Sequence, residues 1–163
     1  MEQEFYKKYI QTPIGWLEIK STSVALCAIR FVNSKGIQSQ TQPRILSEAA
    51  NQLKEYFQGS RKIFDLDITP EGTEFQQKVW NMVQLVPFGE TASYLDISIK
   101  TGSEKNTRAV GLANAKNPIP IVIPCHRIIG ANGKLTGYAG GLEKKRWLLQ
   151  HELSNSDNPD LLF

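Results

Sequence analysis

Apolar positions in the first part of the chain recur at two different periods. Trp16-Leu17-Glu18-Ile19-Lys20 alternates, as a strand with one buried face does. Val24 to Phe31 is more continuously apolar and predicts a second, more buried strand carrying Cys27, paired with the first. Asn33 to Pro43 is polar and reads as a loop. Leu46, Ala49, Ala50, Leu53 and Phe57 then fall at helical spacing, with Gly59 as the stop. Ile63 to Ile68 predicts a further strand. Residues 1–68 thus read as a small α/β unit with no evident chemistry.

Thr69-Pro70-Glu71-Gly72 belongs to a linker, 69–73, after which helical periods dominate. Thr73 can cap a helix that begins at Glu74, with Gln76 at the box position and Phe75, Val79, Met82 and Val83 as the apolar face. Pro87-Phe88-Gly89 ends it. A short helix from Tyr94 to Lys100, a turn at Thr101-Gly102-Ser103 and a helix from about Glu104 to Ala115 suggest a helix-turn-helix. The second of these carries the small residues Ala109, Gly111, Ala113 and Ala115, which allow a close approach to whatever it packs on. Pro120 and Pro124 bracket the apolar run Ile121-Val122-Ile123. A closing helix, about Leu142 to Glu152, takes Leu142, Leu148 and Leu149 as anchors. The pattern predicts an α+β protein of two domains: 1–68, then a mostly helical 74–153, with a flexible polar tail over 154–163.

Composition narrows the function classes. Of 163 residues, 40% are hydrophobic and 21% charged, which excludes a disordered chain, a collagen or a coiled-coil rod. No apolar run approaches the roughly 18 residues of a membrane helix, and the charged start has no secretory apolar core. With two cysteines, two histidines and no Cys-x-x-Cys, neither a disulfide framework nor a zinc site is expected. The expected setting is reducing: cytoplasmic, or nuclear in a eukaryotic source. Residues 1–73 carry 9 basic against 8 acidic side chains, and residues 74–153 carry 10 against 6. The positive excess therefore sits in the second half, which is compatible with a polyanionic partner and equally with a solvated basic face.

The densest chemistry is Pro124-Cys125-His126-Arg127. A thiol reacts as thiolate, and a neighbouring base or cation raises that fraction. Adjacency does not establish contact, since neighbours on a strand face opposite ways. On these four residues alone, a buried structural thiol with a satisfied histidine remains the simpler reading.

The surroundings change that balance. Arg108-Ala109-Val110-Gly111 and Lys116 to Arg127 resemble the signature of the O6-alkylguanine-DNA alkyltransferases. So do Gly72 to Gln76, Val79-Trp80, Pro87 to Thr91 and Ser93-Tyr94 upstream, and Gly137 to Leu142 and Trp147 to Glu152 downstream. The resemblance is close over about 72–152 and loose before 68. It implies a ribonuclease-H-like first domain and a winged-helix-like helix-turn-helix in the second.

The resemblance also implies an unusual reaction, single-turnover transfer of an alkyl group from O6-alkylguanine in DNA to Cys125, with O4-alkylthymine left open as a second substrate. By the same resemblance His126 acts as base through a water and Glu152 orients it. Asn117, with Pro118, holds the turn into the active-site strand, and Tyr94 donates to the leaving guanine at N3. Arg108 enters the stack when the base is flipped. Tyr138, Ala139, Gly140 and Ile128 line the nucleotide pocket, although many relatives have Ser where this chain has Ala139. Arg127 is expected to pair with a carboxylate and clamp the two domains. The implied partner is double-stranded DNA, held in its minor groove by a monomer, with no membrane, cofactor or metal. Three other readings compete: a damage sensor without transferase activity, which Cys125 opposes, a thiol hydrolase, and a plain regulatory helix-turn-helix protein.

Overall fold

A computed structural model describes residues 2–157 of the protein. The backbone divides into two compact units, Met1–Glu71 and Gly72–Phe163.

In the first unit, β1 (Tyr6–Thr12), β2 (Gly15–Ser21) and β3 (Leu26–Val32) form an antiparallel sheet in the order β1-β2-β3. Pro13 and Ile14 make the hairpin loop between β1 and β2, and Gly15 leaves it at φ 105°, a conformation that favours glycine. Helix α1 (Arg44–Phe57) packs on all three strands, with Ile45, Leu46, Ala49, Ala50, Leu53 and Tyr56 buried.

One strand lies outside the predicted elements, and two local expectations fail. β1 escapes the sequence pattern because it is an edge strand: of its seven residues only Ile10 is buried, and its pairing with β2 comes from the backbone. Residues 63–67 form no strand. The Gln52 side chain on α1 satisfies Asp65 instead, donating to its carbonyl (3.0 Å) and accepting from its N–H (2.9 Å). Ile63 stays 79% exposed, and only Ile68 bridges to Leu26. Cys27, expected on a buried strand, is only partly buried on β3, where its thiol donates to the Lys20 carbonyl at 3.3 Å.

In the second unit α2 (Glu74–Val83) opens with the expected capping box of Thr73 and Gln76. It packs on α3 (Tyr94–Lys100) and α4 (Thr107–Ala115), and the Trp80 indole N–H donates to the Ala113 carbonyl at 2.8 Å. Residues 104–106 form a separate 3-10 turn ahead of α4, because Ser103 caps the Lys105 N–H and Thr107 bonds back to the Glu104 carbonyl. Ala113 faces the core at 2% exposure, so it does not belong to the outward stripe with Ala109 and Ala115. Two short strands, β4 (Ala92–Ser93) and β5 (Ile128–Ile129), pair in parallel beside the helices.

Helix α5 (Leu142–Ser154) buries Lys145, Leu148, Leu149, Glu152 and Leu153, whereas Leu142 is 47% exposed. Asn155 closes α5 through its side chain on the His151 carbonyl (2.8 Å); the rest of the expected tail, 158–163, lies outside the described residues. No helix among the described residues is long and apolar enough to cross a membrane.

Ser93 fixes where α3 begins and hence where Tyr94 stands. Its hydroxyl accepts from the Asp96 N–H, and the Asp96 carboxylate accepts from the Ser93 N–H, both at 2.9 Å. Ser93→Ala is expected to cost about 1 kcal/mol in urea unfolding. An unchanged midpoint would show that the box does not hold α3.

Candidate active site

The path into the site begins at Asn117. Its side-chain oxygen accepts from the Ile119 N–H at 2.9 Å, and its NH2 donates to the Ile123 carbonyl at 2.8 Å. One buried side chain thus replaces the backbone partners of a tight loop. The loop holds Ile121 at φ 76°, an uncommon conformation for a β-branched residue, with its side chain fully buried. The expected active-site strand is absent. Pro118, Pro120 and Pro124 have no N–H for a ladder, so the segment turns rather than pairs.

Cys125–Arg127 forms one 3-10 turn, closed by the Arg127 N–H on the Pro124 carbonyl at 2.9 Å. Successive side chains in such a turn diverge by about 120°. His126 therefore points into the interior, where it is fully buried and its Nε2 lies 2.6 Å from Glu152 Oε2. Arg127 forks onto the same carboxylate, Nε to Oε1 at 2.8 Å and Nη2 to Oε2 at 3.0 Å, while Nη1 donates to the Val86 carbonyl at 2.7 Å. The Gly89 N–H donates to Glu152 Oε1 at 3.2 Å. Gly89 is buried at φ 80°, and a Cβ there would lie 2.6 Å from Ser156 Cβ, so only glycine fits. The carboxylate expected for Arg127 is thus Glu152, within the second unit.

Electrostatics follow from this burial. Burial pushes the Cys125 thiol up to about 11, against the Asn117 side-chain hydrogen bond and the Lys145 charge, which lower it. Burial also lowers His126 against the pull of Glu152, so its imidazole is neutral at pH 7. Burial would raise the Glu152 carboxyl, but the charges and hydrogen bonds of His126 and Arg127 outweigh it and hold the group well below the usual carboxylate range. Burial brings Lys145 down to about 8 while Cys125 opposes it.

The remaining expected residues divide. Half-buried Tyr94 has its hydroxyl 3.0 Å from Thr136 Oγ1. The Tyr138 hydroxyl is buried, and burial, then the Cys125 and Glu152 charges, push its pKa well up. Ile128 is fully buried and offers its carbonyl to Lys145. Arg108 is exposed on α4, Ala139 is exposed and Gly140 half-buried. Among the described residues no three His, Cys, Asp or Glu side chains gather as a metal site.

Comparison with known proteins decides the family. A family model described as "6-O-methylguanine DNA methyltransferase, DNA binding domain" matches residues 74–154, and one described as "6-O-methylguanine DNA methyltransferase, ribonuclease-like domain" matches residues 5–70. The chain belongs to the 6-O-methylguanine DNA methyltransferase family. It is 45% identical to a methylated-DNA–protein-cysteine methyltransferase of Methanosarcina acetivorans, over 90% of this chain and 97% of that one. It is 44% identical to the constitutive enzyme of that name from Bacillus subtilis, over 90% of this chain and 94% of the relative. The crystal structure of Mycobacterium tuberculosis O6-methylguanine methyltransferase superposes with a TM-score of 0.84 at 42% identity, covering 94% of this chain and 95% of that one. A structure of the mycobacterial protein in complex with DNA superposes with a TM-score of 0.83 at 43% identity, covering 92% and 94%. The two-domain α+β expectation, with its ribonuclease-like first domain, agrees with both family domains.

Sequence reasoning within this methyltransferase framework passed over two residues, Lys145 and Thr136. Lys145 had a signal: it stands on one helical face with Leu148, Leu149 and Glu152, at spacings of three, four and seven. Thr136 had none, being exposed on a loop.

The array makes the fold sensitive to acid. A depressed Glu152 contributes stability that is present above its ordinary value of 4.5 and is lost as pH falls through and below it. Neutral burial of His126 acts in the same sense below its ordinary 6.5, because the unfolded chain takes up that proton first. Urea midpoints are expected to fall from pH 7 to about pH 4; a flat profile would contradict the buried array.

Proposed function

We infer that this protein repairs DNA by direct transfer of the alkyl group from O6-alkylguanine to Cys125, once per molecule. Family membership supports the reaction, the relatives being named methylated-DNA–protein-cysteine methyltransferases. The observation that carries the residue assignment is the buried Cys125-His126 turn seated on the Glu152–Arg127 pair.

Glu152, kept ionised, accepts the Nε2 proton of neutral His126, which leaves Nδ1 as the acceptor. Nδ1 is buried without a hydrogen-bond partner among the described residues, and a buried acceptor of this kind takes a water. Through that water His126 draws the proton from Cys125, whose burial otherwise keeps it a thiol. The sulfur attacks the alkyl carbon, the C–S bond forms, and the C–O6 bond breaks with its electron pair departing on guanine. Tyr94 donates a hydrogen bond to N3 of that leaving group. The imidazolium stays on the Glu152 carboxylate, which need not take the proton itself. The thioether is not hydrolysed in water, and no second cysteine accompanies Cys125 in its turn, so one turnover is the limit.

Duplex DNA is the partner. The exposed face of α4 carries the short side chains of Ala109 and Ala115 beside Arg108, which suits approach to a minor groove. Arg108 fills the gap left by a flipped base, which costs a few kcal/mol to extrude. Ala139 supplies its backbone N–H where relatives have a hydroxyl as well. The mycobacterial relative bound to DNA supports this partner. A cytoplasmic setting is consistent with action on DNA in cells like those of the bacterial and archaeal relatives. No observation favours a thiol hydrolase or a purely regulatory role.

The test is stoichiometric. Duplex DNA with one O6-methylguanine is mixed with protein at several ratios, and peptides are mapped by mass. One methyl per protein, on Cys125, is expected. Repeated turnover, or methyl on Cys27, would overturn the reading.

A further inference from the structure

The loop between β5 and α5 is tied to the site at Thr136. The main-chain carbonyl of Thr136 accepts from Lys145 Nζ at 2.7 Å, and the same ammonium donates to the Ile128 carbonyl at 2.7 Å. Lys145 is fully buried, with its Nζ 5.9 Å from the centroid of the Tyr94 ring. One buried cation thus holds the loop against β5 underneath Tyr94. On the other side of the same residue, Thr136 Oγ1 lies 3.0 Å from Tyr94 Oη.

A phenol hydroxyl has one proton to give and lone pairs to receive. If Thr136 donates into Tyr94 Oη, the phenol proton is left to point elsewhere, and accepting a hydrogen bond makes the phenol a stronger donor. The direction matters because a phenol spending its proton on Thr136 would have none for a substrate. Lys145 keeps the threonine from drifting by gripping its backbone, which leaves the hydroxyl free to serve the tyrosine.

We propose that Thr136 is a positioning residue: its hydroxyl donates to Tyr94 Oη and so aims the Tyr94 proton at the departing guanine. This rests on the alkyl-transfer reading above, in which Tyr94 donates to N3. Thr136 itself touches no reacting atom and transfers no proton.

Single-turnover rates test it, measured on duplexes carrying O6-methylguanine or its 3-deaza counterpart, where CH replaces N3. Thr136→Val is expected to slow the O6-methylguanine reaction about tenfold, the worth of one hydrogen bond. Thr136→Ser, which keeps the hydroxyl, should stay within about twofold of the parent protein. On the 3-deaza duplex, and in a Tyr94→Phe background, Thr136→Val should change nothing further. Equal slowing on both duplexes or in the Tyr94→Phe background would overturn the proposal, as would a Thr136→Ser protein as slow as Thr136→Val. Urea midpoints for each variant separate lost folding from lost aim. Parent protein that transferred nothing would remove the alkyl-transfer reading and this proposal with it, whereas active parent protein with an additive Thr136 effect removes the Thr136 assignment alone.

Discussion

With Cys125→Ala, alkyl transfer is expected to fall below detection while binding to a lesion-bearing duplex persists. The thiol is the only group in the turn that can form the new bond. His126 is committed to Glu152, and Arg127 is spent on the same carboxylate and the Val86 carbonyl. The exposed face of α4 and the backbone of the turn are unchanged by removing one sulfur. Asn117 keeps its bonds to Ile119 and Ile123, so the loop stays formed and the stability change should be about 1 kcal/mol or less. The measurements are methyl transfer by mass spectrometry and duplex binding by gel shift. Residual transfer at the parent rate would move the acceptor elsewhere; loss of binding along with transfer would mean that the sulfur helps hold the lesion.

Arg127→Ala is expected to destabilise the protein by about 3–5 kcal/mol, the usual cost of leaving one partner of a buried ion pair alone. Glu152 is 1% exposed and would lose both guanidinium bonds while keeping those to His126 and the Gly89 N–H. The Val86 carbonyl would lose its donor as well. With the Arg127 charge and its fork gone, the carboxyl titrates at higher pH, and the neutral His126 ring remains as a hydrogen-bond donor to it. Urea unfolding at pH 7 measures the first effect. A loss below about 1 kcal/mol would mean that Glu152 escapes to water, which its burial argues against. Arg127→Lys should recover only part of the loss, since an ammonium cannot reproduce the fork onto both oxygens.

Legibility tracked the kind of interaction involved. The Thr73 helix start, the α3 boundaries and the face of α1 were readable because capping and periodicity act over a few residues. β1 was not, because an edge strand needs only a backbone partner and little apolar burial. The strand expected at 63–68 failed for a related reason. Its alternation was real, but Gln52 from a distant helix took the hydrogen bonds a neighbouring strand would have made. On α5 the expected anchor Leu142 is largely exposed, and Lys145, to which the pattern gave no role, is buried. An aliphatic side chain is often left outside, and a buried ammonium requires carbonyls that only the folded loop supplies.

By itself the sequence determined the two-part α+β organisation, most helix boundaries and the neighbourhood of Cys125, because these depend on local pattern and on residues adjacent in the chain. It also carried the family resemblance that joined Cys125 to His126 and Glu152. Only the tertiary structure decided that Glu152 lies 2.6 Å from His126 and is forked by Arg127, and that the chain reaches Cys125 by a proline-rich turn rather than a strand. The same holds for Lys145 and Thr136, which meet Tyr94 through the loop between β5 and α5. The Thr136–Tyr94 contact spans 42 residues of sequence, and the Gly89 N–H that also reaches Glu152 spans 63. Their existence depends on burial, which removes water as a competing partner, and no local pattern records which distant group takes its place.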